Sequence, residues 1–125
     1  MAIGTDIVSV SRIKSIYEHS GQKFVERILT EHEISQMSDS LNVKIAYLSK
    51  RWAAKEAISK AFGTGIGEKL SFQDLEISHL ESGQPFVILN ARAKKLAKLK
   101  GIKKLHISIS DEKKYAVAFV VASST

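Results

Sequence analysis

The stretch from Val43 to Phe62 restricts this chain more than any other. Ile45, Leu48, Trp52, Ala53 and Ala57 recur along it at helical spacing, and Gly63 stands where such a helix stops. At about 1.5 Å of rise per residue this helix crosses a small domain from side to side, so the rest of the chain has to pack around it, and burial of one face is expected. Within it lies Arg51-Trp52-Ala53-Ala54-Lys55-Glu56-Ala57-Ile58-Ser59-Lys60, whose alanines keep one flank thin enough for another segment or a ligand to come close.

The remaining segments are short. Ile3 to Val10 is β-branched and reads as a first strand, interrupted by Asp6. Ser11 is placed to cap a helix carrying Ile13, Ile16 and Tyr17, which Gly21 ends; Phe24, Val25, Ile28 and Leu29 form a second short helical face. Thr30-Glu31-His32-Glu33 has capping-box spacing, so another helix begins there and ends near Ser38 to Asn42. Asp74 to Leu80 and Pro85 to Leu89 read as strands joined by Glu81-Ser82-Gly83-Gln84. Asn90 caps a basic helix that Gly101 terminates, and Leu105 to Ser110 with Tyr115 to Ala122 make a second hairpin across Asp111-Glu112-Lys113-Lys114. The expected architecture is α+β, one domain over residues 1–125, with N-terminal helices and one long central helix packed on an antiparallel sheet that follows them.

Composition narrows the function classes. The chain has 125 residues, 44% of them hydrophobic, which suffices for one core, and its moderate size makes self-association a natural source of further stability. The absence of cysteine removes disulfides, thiolate nucleophiles and cysteine-bound zinc. No segment approaches the ~20 apolar residues of a bilayer span, and Met1 to Val10 lacks a basic leader, so a soluble, cytoplasmic protein is expected. A net charge of +6 makes anions the preferred partners: nucleic acid, a phosphorylated small molecule or an acidic protein surface.

Asp6 inside an apolar strand needs a cation or donor to compensate it, although a strand-end or capping carboxylate is the ordinary reading. Glu56 taken alone is an i,i+4 partner of Lys60. Together, Asp6 and Glu56 supply hard oxygen ligands suited to magnesium, and Lys60 stands one turn from Glu56, a set that suits a metal-bridged phosphate. Gly63-Thr64-Gly65-Ile66-Gly67 is glycine-rich, but it follows a helix instead of preceding one, so a helix stop competes evenly with ligand contact. Strand alternation puts His106, Ser108 and Ser110 on one face; His19, His32 and His79 lack such company. The basic runs Arg12, Lys14, Lys23, Arg27 and Lys94 to Lys104 are not interleaved with stacking aromatics, which argues against a nucleic-acid module.

Gly4-Thr5-Asp6 with Arg12, then Trp52 to Lys60, Ala61 to Gly67, Leu70 to Asp74 and His106 to Ser110, resemble in order the motifs of AcpS-type 4′-phosphopantetheinyl transferases across nearly the whole chain. The resemblance implies that family's fold. It also implies transfer of the 4′-phosphopantetheine arm of coenzyme A to a serine of apo-acyl carrier protein, in fatty acid biosynthesis, with release of adenosine 3′,5′-bisphosphate. It implies that Asp6 and Glu56 bind Mg2+ with the coenzyme A pyrophosphate and that Lys60 neutralises phosphate charge and assists the leaving group. Arg51, Gly63, Thr64, Gly65 and His106 are then the coenzyme-binding residues, His106 from a neighbouring part of the assembly. Arg12, extended by Lys23 and Arg27, is the surface for an acidic acyl carrier protein, and the implied assembly is a homotrimer with interfacial sites. Many relatives have histidine where this chain has Asp111, which receives no role. The competing reading is a non-catalytic basic module that binds nucleic acid or an acidic protein.

Overall fold

The computed structural model describes residues 1–125. Strand β1 (Ala2–Ser9) leads into helices α1 (Val10–Ser20), α2 (Gln22–Ile28) and α3 (Glu31–Ser35), and then into the long α4 (Leu41–Phe62). A 3-10 turn over Phe72–Asp74 precedes β2 (Leu75–His79) and β3 (Pro85–Leu89), followed by α5 (Ala91–Leu99), β4 (Lys104–Asp111) and β5 (Tyr115–Ser123). All strand pairs are antiparallel.

Two expectations need correction. The strands do not form a single sheet placed after the helices: β1-β5-β4 is one sheet and β2-β3 a separate pair, so the first strand closes against the last. The pairing partner of β1 lies more than a hundred residues away, a relation that local periodicity cannot carry. The cap of α1 is Ser9, not Ser11: Ser9 is in extended conformation and accepts from the Arg12 N–H, while Ser11 already belongs to the helix and lies 2.9 Å from the Ser9 hydroxyl.

Helix α4 also departs from the one-faced pattern. From Ala53 onward only Lys60 is exposed, with Glu56 intermediate, because the β1-β5-β4 sheet covers one side of the helix and the α1–α3 layer another. A helix buried around most of its circumference needs small residues, and Ala53, Ala54, Ala57 and Ala61 supply them. The aromatic Trp52 fills the space toward α2, with ring centroids 5.9 Å from Phe24 and 5.0 Å from Phe72.

At Gly4, β1 and α4 approach each other backbone to backbone. A Cβ on Gly4 would lie 1.9 Å from the Ala57 carbonyl oxygen and 2.8 Å from the Ala61 nitrogen, and both are backbone atoms that cannot swing aside. Residue 4 must therefore be glycine for the strand to rest directly on the helix. Gly4→Ala is expected to cost about 1–3 kcal/mol through forced separation of the two elements. A lower urea midpoint at unchanged slope checks it.

Candidate active site

Alternation along β1 directs Gly4, Asp6 and Val8 toward α4, with Gly4 and Val8 buried on either side of the half-buried Asp6. The partner that an aspartate in this position requires is Lys60. Its ammonium donates to Asp6 Oδ1 at 3.1 Å and to the Thr5 carbonyl at 2.9 Å. Lys60 thus spans from the last turn of α4 to the strand while its side chain stays half exposed.

One turn earlier, the Glu56 carboxyl has a pKa raised above its ordinary value, first by burial and second by the nearby charge of Asp6. Lys60, Arg12 and Arg27 oppose the shift, so both helical arginines lie within electrostatic reach of Glu56. The Arg12 guanidinium stands 6.0 Å from the Trp52 ring centroid, which anchors this exposed side chain beside the rim of α4. Lys23 lies exposed on α2. Asp6, Glu56 and Lys60 therefore converge, bordered by Arg12 and Arg27.

Two other expected site residues, Arg51 and His106, lie elsewhere. Arg51 is five positions from Glu56, about 140° around the helix, and faces the α3–β2 side. There its Nε is 3.6 Å from Glu33 Oε2, and its guanidinium covers the Tyr47 ring at 3.5 Å. It lines a separate cleft of about 370 Å³ shared with Lys50, His79 and Ser78, and its Nε has no hydrogen-bond partner. His106 pairs in register with Val121, which pairs with Ile3, and this row faces away from α4. Asp6 is on the row of Ala118, so His106 and Asp6 occupy opposite faces of the sheet. The outer face also carries Ile3, Ile7, Tyr115, Val117 and Phe119, all exposed.

Gly63, Thr64 and Gly65 do not form an outward cradle of N–H groups. Gly63 donates to the Lys60 carbonyl, and Thr64 and Gly65 both donate to that of Ser59, so all three close the end of α4. Positive φ at Gly63 (82°) and Gly65 (67°) is what lets the chain turn back on the helix in this way.

Sequence reasoning missed the ion pair that supports the site from beneath. Lys55, wholly buried, donates to Glu33 Oε1 at 2.6 Å and to the Ile28 carbonyl at 2.7 Å. Glu33 Oε1 also accepts from the Thr30 N–H, and Oε2 from the Ile77 N–H at 2.9 Å. The capping box at Thr30 was legible; nothing in it signalled that the same carboxylate would bind a lysine on α4 and the backbone of β2.

A helix-backed antiparallel sheet with two carboxylates and a lysine gathered at its rim defines a small α+β protein with a charged site between its first strand and its long helix. The family profile of the 4′-phosphopantetheinyl transferase superfamily matches residues 2–120, and this chain belongs to that superfamily. It is 44% identical over 124 residues to a holo-[acyl-carrier-protein] synthase of Photobacterium profundum, covering 99% of this chain and 98% of that protein. Among solved structures, the holo-[acyl-carrier-protein] synthase of Neisseria meningitidis superimposes with a TM-score of 0.91 at 40% identity, covering 98% of this chain and 97% of that one. The Helicobacter pylori synthase in complex with coenzyme A superimposes with a TM-score of 0.84 at 37% identity, covering 97% and 99%.

Two outcomes follow from these contacts. Lys55→Met or Glu33→Gln strands a buried charged partner and is expected to cost about 3–5 kcal/mol; the double variant should cost less than the sum, as measured by denaturant unfolding. For Glu56, a carboxyl whose folded pKa exceeds its unfolded value binds its proton more tightly when folded, so stability is lost as pH rises through that window. With chelator present, Glu56→Gln should therefore raise the melting temperature at neutral pH. The gain should shrink as pH falls toward the ordinary glutamate range.

Proposed function

We propose that this chain moves the 4′-phosphopantetheine arm of coenzyme A onto a serine of an acidic apo-acyl carrier protein, in the cytoplasm, as part of fatty acid biosynthesis. The observation that carries the reading is the convergence of Asp6, Glu56 and Lys60 beside the Arg12 and Arg27 surface. The two carboxylates fit a magnesium ion: Asp6 and Glu56 are hard oxygen donors, already close enough for one charge to disfavour the other, and a sparse carboxylate pair is what that ion takes when it shares its shell with substrate phosphates. Bound there, it would polarise the pyrophosphate and stabilise the charge that develops on it.

In the reaction the carrier serine oxygen forms a bond to the β-phosphorus of coenzyme A, and the bond from that phosphorus to the bridging oxygen breaks, releasing adenosine 3′,5′-bisphosphate. Glu56 accepts the serine proton, directly or through a water, and its raised pKa favours that role. Lys60, steered by Asp6 and the Thr5 carbonyl, presents its ammonium to the phosphate oxygens and offsets charge on the leaving group. Arg12, Lys23 and Arg27 receive the acidic helices of the carrier.

Arg51 and His106 enter through association. We assign the exposed outer face of the β1-β5-β4 sheet to a homotrimer, in which His106 and the Arg51 cleft of one subunit border the Asp6–Glu56 rim of the next and grip the distal part of coenzyme A. Gly63 and Gly65 then shape the rim by lacking side chains, not by donating hydrogen bonds to a ligand.

Intact-mass measurement of apo-carrier incubated with enzyme and coenzyme A should show the gain of one phosphopantetheine arm, lost when a chelator is added. No gain with folded enzyme and its own carrier refutes the assignment. Asp6→Asn and Glu56→Gln should each lower kcat by at least about 100-fold, the scale of a lost acid–base or electrostatic contribution, while circular dichroism stays unchanged. Sedimentation should give a trimer, and Phe119→Glu on the outer face should give monomers without activity.

A further inference from the structure

Lys60 leaves the last turn of α4 toward β1, where Asp6 and the Thr5 carbonyl hold its ammonium. Three residues on, the exposed Gly63 ends the helix at a φ of 82°. A second ammonium stands over that glycine: a Cβ built on Gly63 would lie 4.0 Å from the Nζ of Lys100, which comes from the end of α5. The base of Lys100 is fixed by the way α5 stops. Its N–H donates to the Leu96 carbonyl, Gly101 turns at a φ of 72° and donates to that of Lys98, and Ile102 donates to that of Ala97 while packing against the core. The flexible stem then reaches across to α4. The four ion pairs of the chain employ Arg51, Lys55, Lys60 and Arg92, and Lys100 enters none of them. The Ser59 and Lys60 carbonyls at the end of α4 already accept from Gly63, Thr64 and Gly65. An ammonium without a carboxylate partner, over a residue that has no side chain, keeps its protons for an anion laid on that turn.

We propose that Lys100 binds a phosphate on the adenosine half of coenzyme A, so that the end of α4 holds the leaving nucleotide between two ammonium groups. The inference rests on the transfer reading above and adds a specificity-determining residue to it. Position divides the work. Lys60, held beside Asp6, serves the phosphate at the reacting bond, whereas Lys100 stands past the end of the helix and meets a phosphate that departs with the nucleotide. The adenosine half offers two such groups of the same chemistry, and the reaction itself tells them apart. The 3′-phosphate keeps its charge throughout, so a contact with it is equally strong before and at the transition state, and its loss raises KM alone. The 5′-phosphate gains charge as the bond to it breaks, so loss of a contact there lowers kcat as well.

The test is calorimetric titration of the full chain with adenosine 3′,5′-bisphosphate in the presence of magnesium. Lys100→Met should weaken binding at least about tenfold, the scale of a hydrogen bond to a charged group, and Lys100→Arg should restore most of it. Lys95→Met removes the same charge from an exposed position on α5 and should leave binding unchanged. Steady-state turnover with coenzyme A and with its 3′-dephospho form then identifies the group. A higher KM at constant kcat, absent with the dephospho substrate, assigns the 3′-phosphate; a loss in kcat that persists with it assigns the 5′-phosphate. Equal weakening by Lys95→Met would make the effect one of net charge and overturns the proposal. Unchanged binding in Lys100→Met overturns it as well, and a lower melting temperature of that variant without nucleotide would then leave the lysine only the role of offsetting the α4 dipole. A parent protein that fails to bind the nucleotide refutes the transfer reading together with this one, whereas binding that survives in Lys100→Met refutes this one alone.

Discussion

Backbone against backbone, β1 and α4 touch where Gly4 meets Ala57 and Ala61, and the rest of the site follows from that contact. A strand normally stands off a helix by the thickness of a side-chain layer. Here the missing layer lets Asp6, two residues beyond Gly4, reach the level of the helix surface, and lets Lys60 bridge back to the Thr5 carbonyl. The carboxylates of Asp6 and Glu56 are held close although their charges oppose each other. Such an arrangement stores unfavourable electrostatic energy, which the Lys60 ammonium beside Asp6 offsets only in part.

That energy has to be offset elsewhere, and the Glu33–Lys55 pair is where the fold resists it. Burying a lysine and a glutamate is costly unless every lone pair and proton finds a partner, and here one carboxylate collects the Thr30 and Ile77 N–H groups with Lys55, while Lys55 also reaches the Ile28 carbonyl. The result fastens α2, α3 and β2 to α4 one residue away from Glu56. Rotation of α4 about its axis would break these contacts together, so they help to fix the azimuth of its alanine-rich second half.

How much of this was legible depended on the range of the interaction. The extent of α4, its glycine stop, the capping box at Thr30 and both hairpins were readable because each is set within a few residues. That Asp6, Glu56 and Lys60 belong together was readable as a combination of residue types. Periodicity could not tell that β1 would close against β5, that Ser9 would leave Ser11 no capping role, or that Arg51 would turn toward Glu33. Nor could composition decide the glycine turn: whether its N–H groups face a ligand or the Ser59 carbonyl is a matter of dihedral angles, and these close the helix.

Strand alternation imposes the last constraint. Thr5 and Ile7 share one face of β1 while Gly4, Asp6 and Val8 share the other, and no rotamer change carries a side chain through a hydrogen-bonded sheet. His106, on the row of Val121 and Ile3, is therefore barred from the Asp6 of its own chain. A single ligand that touches both kinds of residue has to lie between two copies, and the apolar rows of Ile3, Ile7, Val117 and Phe119 that surround His106 give those copies a reason to meet. In the proposed homotrimer, self-association and completion of the site would be the same event, and a short chain would acquire a cleft long enough for an extended nucleotide without folding a second domain of its own.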